Sequence, residues 1–265
     1  MASWRGGFVQ VAAGLLALVV ALVLPASAQD ASAPGSSRTS TIPAEGGPIL
    51  ITPFVGASVQ VEHGGTVIHV DPWGRGDYTG AKQADLILVT DTPGDHLDPE
   101  MIARLRKPGA PVILPDRPED ARDEASRERL LRVEDGTVMD NGDRLIAAGV
   151  PVEAVAMYDI IPGEPFHAKG EGNGYVVALG GKRLYFSGVT ECTPEMKAVE
   201  DVDVAFVPMN LPHGRMPPAE AAECVKIVRP DVVYPYHYRE RPIDDFVSAL
   251  EGEDIEVRFH DWYPQ

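Results

Sequence analysis

From Ile49 onward the apolar residues of this chain fall into short runs broken by glycine and proline, which is the pattern of strands rather than of long helices. Ile49–Phe54, Ser58–Glu62 and Thr66–Val70 read as strands, and Gly64-Gly65 predicts a tight hairpin turn between the last two. Asp71-Pro72-Trp73 ends the third. Leu86–Val89 is a fourth, with no helical period and no polar interruption, as expected of a strand buried on both faces. Asp98-Pro99 then predicts an N-cap with proline at the first helical position, and a helix running to about Leu105. Val112–Leu114 reads as a strand, and Glu119–Leu131 as a charged, mostly solvent-facing helix. Asn141-Gly142 marks a further hairpin turn before strands at Arg144–Ala147 and Val152–Met157. Tyr175–Leu179 and Arg183–Phe186 flank a second glycine pair, Gly180-Gly181. Val204–Val207 and Val232–Tyr234 are short apolar strands, and Pro217–Val228 and Pro242–Leu250 have helical spacing with proline starts. Hairpins come first, then strand–helix units, then hairpins and strand–helix units again. That order is not a doubly wound dinucleotide fold. It predicts an α+β domain over 49–265, with two mixed β-sheets packed face to face and helices outside.

Composition adds bounds rather than detail. The 265 residues are 44% hydrophobic, enough for one large domain or two small ones, and the formal net charge is −17. Such acidity argues against nucleic acid or an anionic membrane surface as a partner, because phosphate binding needs a basic patch. The first residues differ from the rest: Arg5 with no acid, an apolar stretch from Phe8 to Leu24, then Ala26-Ser27-Ala28 as a cleavage-site pattern. Residues 1–28 therefore read as a secretory signal peptide, with a membrane anchor as the competing reading. Residues 29–48, rich in Ser, Ala, Gly, Thr and Pro, read as a flexible linker. The expectation is a periplasmic or secreted protein, free of the membrane after cleavage, acting on a small molecule. In that setting Cys192 and Cys224 could pair, although sequence does not show whether they come within bridging distance.

Several predicted strands end in loops of unusual polarity: Asp91-Thr92-Pro93-Gly94-Asp95-His96, Tyr158-Asp159, Ser187-Gly188-Val189-Thr190-Glu191 and Tyr236-His237-Tyr238-Arg239. Carboxylates and imidazoles delivered from strand ends can bind a metal or move protons. A lone Asp-His pair on a loop is more often simply solvated. Asp98 is better explained as a helix cap than as a ligand.

Over roughly residues 50 to 240 the chain resembles the metallo-β-lactamase fold superfamily, in its lactonase-like branch of metal-dependent hydrolases. The words that carry the resemblance are V-E-H-G-G-T-V-I-H-V-D-P (61–72), A-D-L-I-L-V-T-D-T-P-G-D-H-L-D (84–98) and G-N-G-Y-V-V (172–177). G-G-K-R-L-Y-F-S-G-V-T-E (180–191), D-V-A-F-V-P-M-N-L-P (203–212) and V-V-Y-P-Y-H-Y-R (232–239) follow. The resemblance implies a four-layer αβ/βα sandwich with a metal site between the sheet ends. The family's signature loop, T-H-x-H-x-D-H, aims imidazoles and a carboxylate at one or two ions, where a bound water is activated and a carbonyl polarised.

The match is incomplete. Asp95 and His96 fall on ligand positions, Asp91 stands where many members have His, and Pro93 stands where a His ligand is expected. Val189 replaces the aspartate that bridges two ions. His237 keeps the C-terminal ligand. The resemblance thus implies one ion on Asp95, His96 and His237, with Asp91 and Asp159 as the remnant of a second position; the ion would be zinc, or manganese or iron, or none. Asp95 and His213 are the candidate catalytic groups, and Asn173 and Arg239 the candidate substrate contacts. His167 matches a pocket-lining word, while His63 and His69 read as structural. The implied activity is hydrolysis of an ester, lactone or amide bond. The alternative is a metal-free homologue that binds without turnover.

Overall fold

The computed structural model describes Met1 and residues 38–160, 166–209, 216–238 and 243–263. Two seven-stranded sheets carry the fold. The first runs in chain order: β1 (Ser40–Ile42), β2 (Ile49–Pro53), β3 (Val59–His63), β4 (Thr66–Val70), β5 (Leu86–Leu88), β6 (Val112–Leu114) and β7 (Gly136–Val138). Strands β1 to β4 pair antiparallel through short turns, and β4 to β7 pair parallel. Parallel pairs need long crossovers, and helices α1 (Pro99–Leu105) and α2 (Glu124–Leu131) lie in two of them.

The second sheet repeats this scheme with β8 (Arg144–Ala147), β9 (Val150–Ala156), β10 (Asn173–Leu179), β11 (Lys182–Phe186), β12 (Val204–Pro208), β13 (Val232–Tyr236) and β14 (Glu256–Val257). It is antiparallel up to β11 and parallel beyond. Its parallel crossovers hold α3 (Pro194–Lys197), α4 (Pro218–Val228) and α5 (Ile243–Ala249).

Alternation along β5 shows how the layers are sorted. Leu86 and Leu88 join the core between the sheets, with Val61, Ile68 and Val177. Ile87 and Val89 face the other way, packing with Ile102 of α1 and Leu130 of α2. Both faces are covered, so the run is apolar without a break, and each such side chain contributes about 1.5–3 kcal/mol.

The expected strands and helices form with their ends shifted by a few residues, and the α+β two-sheet architecture is the one predicted; Asn141-Gly142, read as a hairpin turn, instead joins β7 of one sheet to β8 of the other, and the hairpin there is β8–β9. The charged helix begins at Glu124 rather than Glu119, because the Asp123 carboxylate accepts from Ser126 N at 2.6 Å and caps it there. Strands β1, β7 and β14 and helix α3 were not predicted; each is too short to show a period. Strand β1 lies within the segment read as a linker, and it is held by antiparallel pairing to β2 and by burial of Ile42. The signal-peptide reading over residues 1–28 falls outside the described residues except for Met1. Cys192 and Cys224 form a disulfide, with Cα atoms 5.7 Å apart, that ties the segment before α3 to α4. Among the described residues no helix is long and apolar enough to cross a membrane.

Candidate metal centre

Strand ends from both sheets meet at one edge of the sandwich. Asp71 follows β4, the loop from Thr90 to Asp98 follows β5, and His237 follows β13. Asp71 and His237 have left-handed backbones, with φ of 44° and 51°. For residues with a Cβ that conformation costs roughly 1–2 kcal/mol. The chain meets that cost where it turns these two side chains away from their strands.

Asp71 is fully buried. Its Oδ1 accepts from Thr90 N at 2.7 Å, and its Oδ2 accepts from Thr90 Oγ1 at 2.5 Å. The same Oδ2 lies 2.8 Å from His96 Nδ1. A carboxylate there makes Nδ1 the donor, fixes the ring and leaves Nε2 pointing outward. His96 Nε2 lies 3.1 Å from His237 Nε2, and His237 Nε2 lies 3.5 Å from Asp95 Oδ2. Among the described residues, these three form a group of ligand-type side chains whose donor atoms all lie within 4.8 Å of one another.

The donors fit one ion. Bonds of about 2.0–2.1 Å in a tetrahedron set neighbouring donors about 3.3 Å apart, and the separations here are 3.1 and 3.5 Å. With no ion bound, a proton on the imidazole pair offsets the neighbouring carboxylates. Burial opposes a charge on His96, but Asp71 outweighs it and lifts the imidazole to about 9. Burial pushes His237 down instead, with the neighbouring His96 adding to that. Burial would raise Asp95, yet its contacts with His237 and His96 hold the carboxyl well below the usual range. The contact between the two Nε2 atoms is then a hydrogen bond from protonated His96 to neutral His237. An ion held by Asp95, His96 and His237 would take the place of that proton.

Asp91 turns to a different set. It is fully buried; Oδ1 accepts from Arg122 Nη2 and from Thr92 N, the latter at 2.7 Å. Oδ2 faces His167 Nε2 at 3.3 Å, and His167 Nδ1 lies 3.2 Å from Asp159 Oδ1. Asp159 Oδ2 accepts from the backbone of Phe166 and His167 at 2.7 and 3.0 Å. Burial works against a charge on His167, but Asp159 and Asp91 on either side lift it to about 9.

A family model described as a β-lactamase superfamily domain matches residues 50–237. The chain belongs to the metallo-β-lactamase superfamily. Its curated relatives include a UPF0173 metal-dependent hydrolase of Aeropyrum pernix, 31% identical over 202 residues, covering 71% of this chain and 81% of that one. Among solved structures, a proposed metal-dependent hydrolase from Parabacteroides distasonis superposes with a TM-score of 0.74 at 33% identity, covering 84% of this chain and 98% of the other. Igni18, a metallo hydrolase of Ignicoccus hospitalis, shares the fold with a TM-score of 0.61 at 23% identity, over 80% and 94% of the two chains.

Within the metallo-β-lactamase frame, the structure brings together Asp95, His96 and His237. It joins Asp91 and Asp159 through His167 instead. Asn173, expected to meet a substrate, is fully buried; its Nδ2 donates to Met139 O at 2.7 Å and its Oδ1 accepts from Asn141 Nδ2 at 2.6 Å. It pins the start of β10 rather than facing a ligand. His213 and Arg239 lie outside the described residues. Asp98 caps α1, with Oδ1 accepting from Glu100 N and Met101 N at 3.1 Å each, and its Oδ2 accepts from Gly74 N at 2.9 Å. His69 donates to Lys82 O at 2.9 Å from a buried position between sheet and loop, a structural role as expected.

Two residues at the site were not singled out from sequence. Asp71 was read only as a strand end, although a carboxylate ending β4 beside β5 shares the sheet edge of the signature loop. Arg122 belonged to a segment read as solvent-facing helix, and nothing local distinguishes it.

Proposed function

We propose that this protein is a metal-dependent hydrolase that uses a single ion held by Asp95, His96 and His237. The convergence of one carboxylate and two imidazole Nε2 atoms, backed by Asp71, carries this reading. When bound, zinc, manganese or iron supplies Lewis acidity and activates water at neutral pH. Asp71 holds His96 in the tautomer that offers Nε2. Asp95, kept well below the usual carboxylate range, is a weak base, so the ligand role suits it better than proton abstraction. His213 is the candidate proton donor, and Arg239, two residues past His237 in the sequence, the candidate partner for an anionic group of the substrate.

The reaction we infer is hydrolysis of an ester, lactone or amide bond in a small molecule, in keeping with the metal-dependent hydrolases to which the chain is similar. The metal-free alternative loses support because three donors converge at chelating distance. Export to the periplasm or beyond is supported by the signal-like N-terminus and by the Cys192–Cys224 disulfide, which suits an oxidising compartment.

The test is the metal content of the purified mature protein beside a His96→Ala variant, with ester and lactone substrates assayed in parallel. About one equivalent in the parent and almost none in the variant, with activity lost in step, is the expected result. Substoichiometric metal that the substitution leaves unchanged would refute the reading.

A further inference from the structure

The Asp91 side of the cleft poses a separate question: what balances a carboxylate with no exposure to water? An isolated buried charge is costly and is retained only with a counter-charge. In a two-ion site the counter-charge would be a metal. Here Arg122, 31 residues away in sequence, brings its guanidinium onto Asp91 Oδ1 and anchors itself by donating from Nη1 to Phe166 O at 3.3 Å. The Arg122 side chain is only 15% exposed. Arginine remains charged at any working pH, so this cation is permanent.

The space toward Val189 is filled as well. Val189 N donates to Met157 Sδ at 3.0 Å. A Cβ on Gly188 would come 2.3 Å from Met157 Sδ, and one on Gly172 would come 2.1 Å from Met157 Cε. A thioether therefore packs closely between these two glycines and beside Thr90, against the loop where a bridging carboxylate would stand. On its other side Asp91 Oδ2 faces His167 Nε2 at 3.3 Å, and His167 Nδ1 faces Asp159 Oδ1 at 3.2 Å.

We propose that the Arg122 guanidinium is a built-in replacement for a second metal ion, occupying the side of Asp91 that such an ion would take. The proposal rests on the single-ion reading above, and it makes the charge requirement of the second position intrinsic to the chain. A tethered guanidinium can neither exchange nor carry a water to the substrate, so ion chemistry is confined to the Asp95, His96 and His237 cluster.

The experiment is equilibrium dialysis of the full mature protein against Zn²⁺, followed by metal quantification per chain. Arg122→Ala is expected to bind one ion more than the parent, Arg122→Lys to bind the parent's number, and Arg122→Ala combined with His167→Ala to lose the extra ion. Asp91→Asn, with Arg122 intact, is expected to leave the parent's stoichiometry unchanged; this arm stands even if Arg122→Ala fails to fold. A parent that already binds two ions, an Arg122→Ala protein that gains none, or an Asp91→Asn protein that loses one would each overturn the proposal. A parent with no ion, beside an Arg122→Ala protein that gains one, would instead overturn the single-ion reading and support the replacement.

Discussion

Asp91 and Asp95 leave the same strand four positions apart, and each meets an imidazole, yet they are wired in opposite senses. Asp95 joins His96 and His237 with donor atoms turned toward one another, while the hydrogen-bonding demand of His96 is met from behind by Asp71. Asp91 and Asp159 face the two ring nitrogens of His167, and Asp91 Oδ1 also accepts from Arg122. The first group turns its donor atoms toward one point and holds only an exchangeable proton; the second is built around a tethered guanidinium that cannot exchange. Ligand-type residues alone do not make a metal site. What decides is whether their charge is balanced from inside the chain.

The sharpest way to break this comparison is to neutralise each carboxylate in turn. Asp91→Asn should cost about 3–5 kcal/mol of stability, because it leaves the Arg122 guanidinium without its buried partner. Asp95→Asn should cost less than Asp91→Asn, since its carboxylate is partly exposed and faces no permanent cation, and it should abolish metal uptake at the proposed site. Urea unfolding of the metal-free proteins measures both costs, and equal costs would mean that the two groups are not wired differently.

His69 supplies an imidazole with no carboxylate partner. Burial drives it down to about 4, with its bond to Lys82 O and the charge of Glu62 opposing. The unfolded chain takes up that proton near 6.5, so the contribution is complete above pH 6.5 and is lost as the pH falls through 4. The loss is about 3 kcal/mol at 1.36 kcal/mol per pH unit. His69→Gln should flatten that part of the stability–pH curve measured by urea midpoints; an unchanged slope would show that other groups produce it.

A smaller effect is expected at Asp71. Asp71→Asn should weaken metal binding about 10–100-fold, the usual loss when the partner behind a ligand imidazole is changed. Chelator competition would measure it. Unaltered affinity would mean that packing, not Asp71, orients His96.

Much of this molecule was legible in advance. The glycine-pair turns, the alternating runs and the Asp98-Pro99 start each act over a few residues, so their consequences survive without tertiary context. Asp95, His96 and His237 were legible through the words around them. Asn173 was misjudged because a polar residue at a strand start can face a cleft or a neighbouring loop, and only the position of Asn141 and Met139 decides which.

Local patterning therefore let the sequence by itself determine most of the strands, the glycine-pair turns and the two-sheet α+β class, while the resemblance in the surrounding words pointed to the loop of Asp95 and His96. Only the tertiary structure decided which cation each carboxylate meets. Arg122 and His167 reach Asp91 from 31 and 76 positions away in the chain, and Asp71 reaches His96 across 25. Charge balance in a buried site is settled by distances of a few ångströms in space, and spacing along the chain does not encode them.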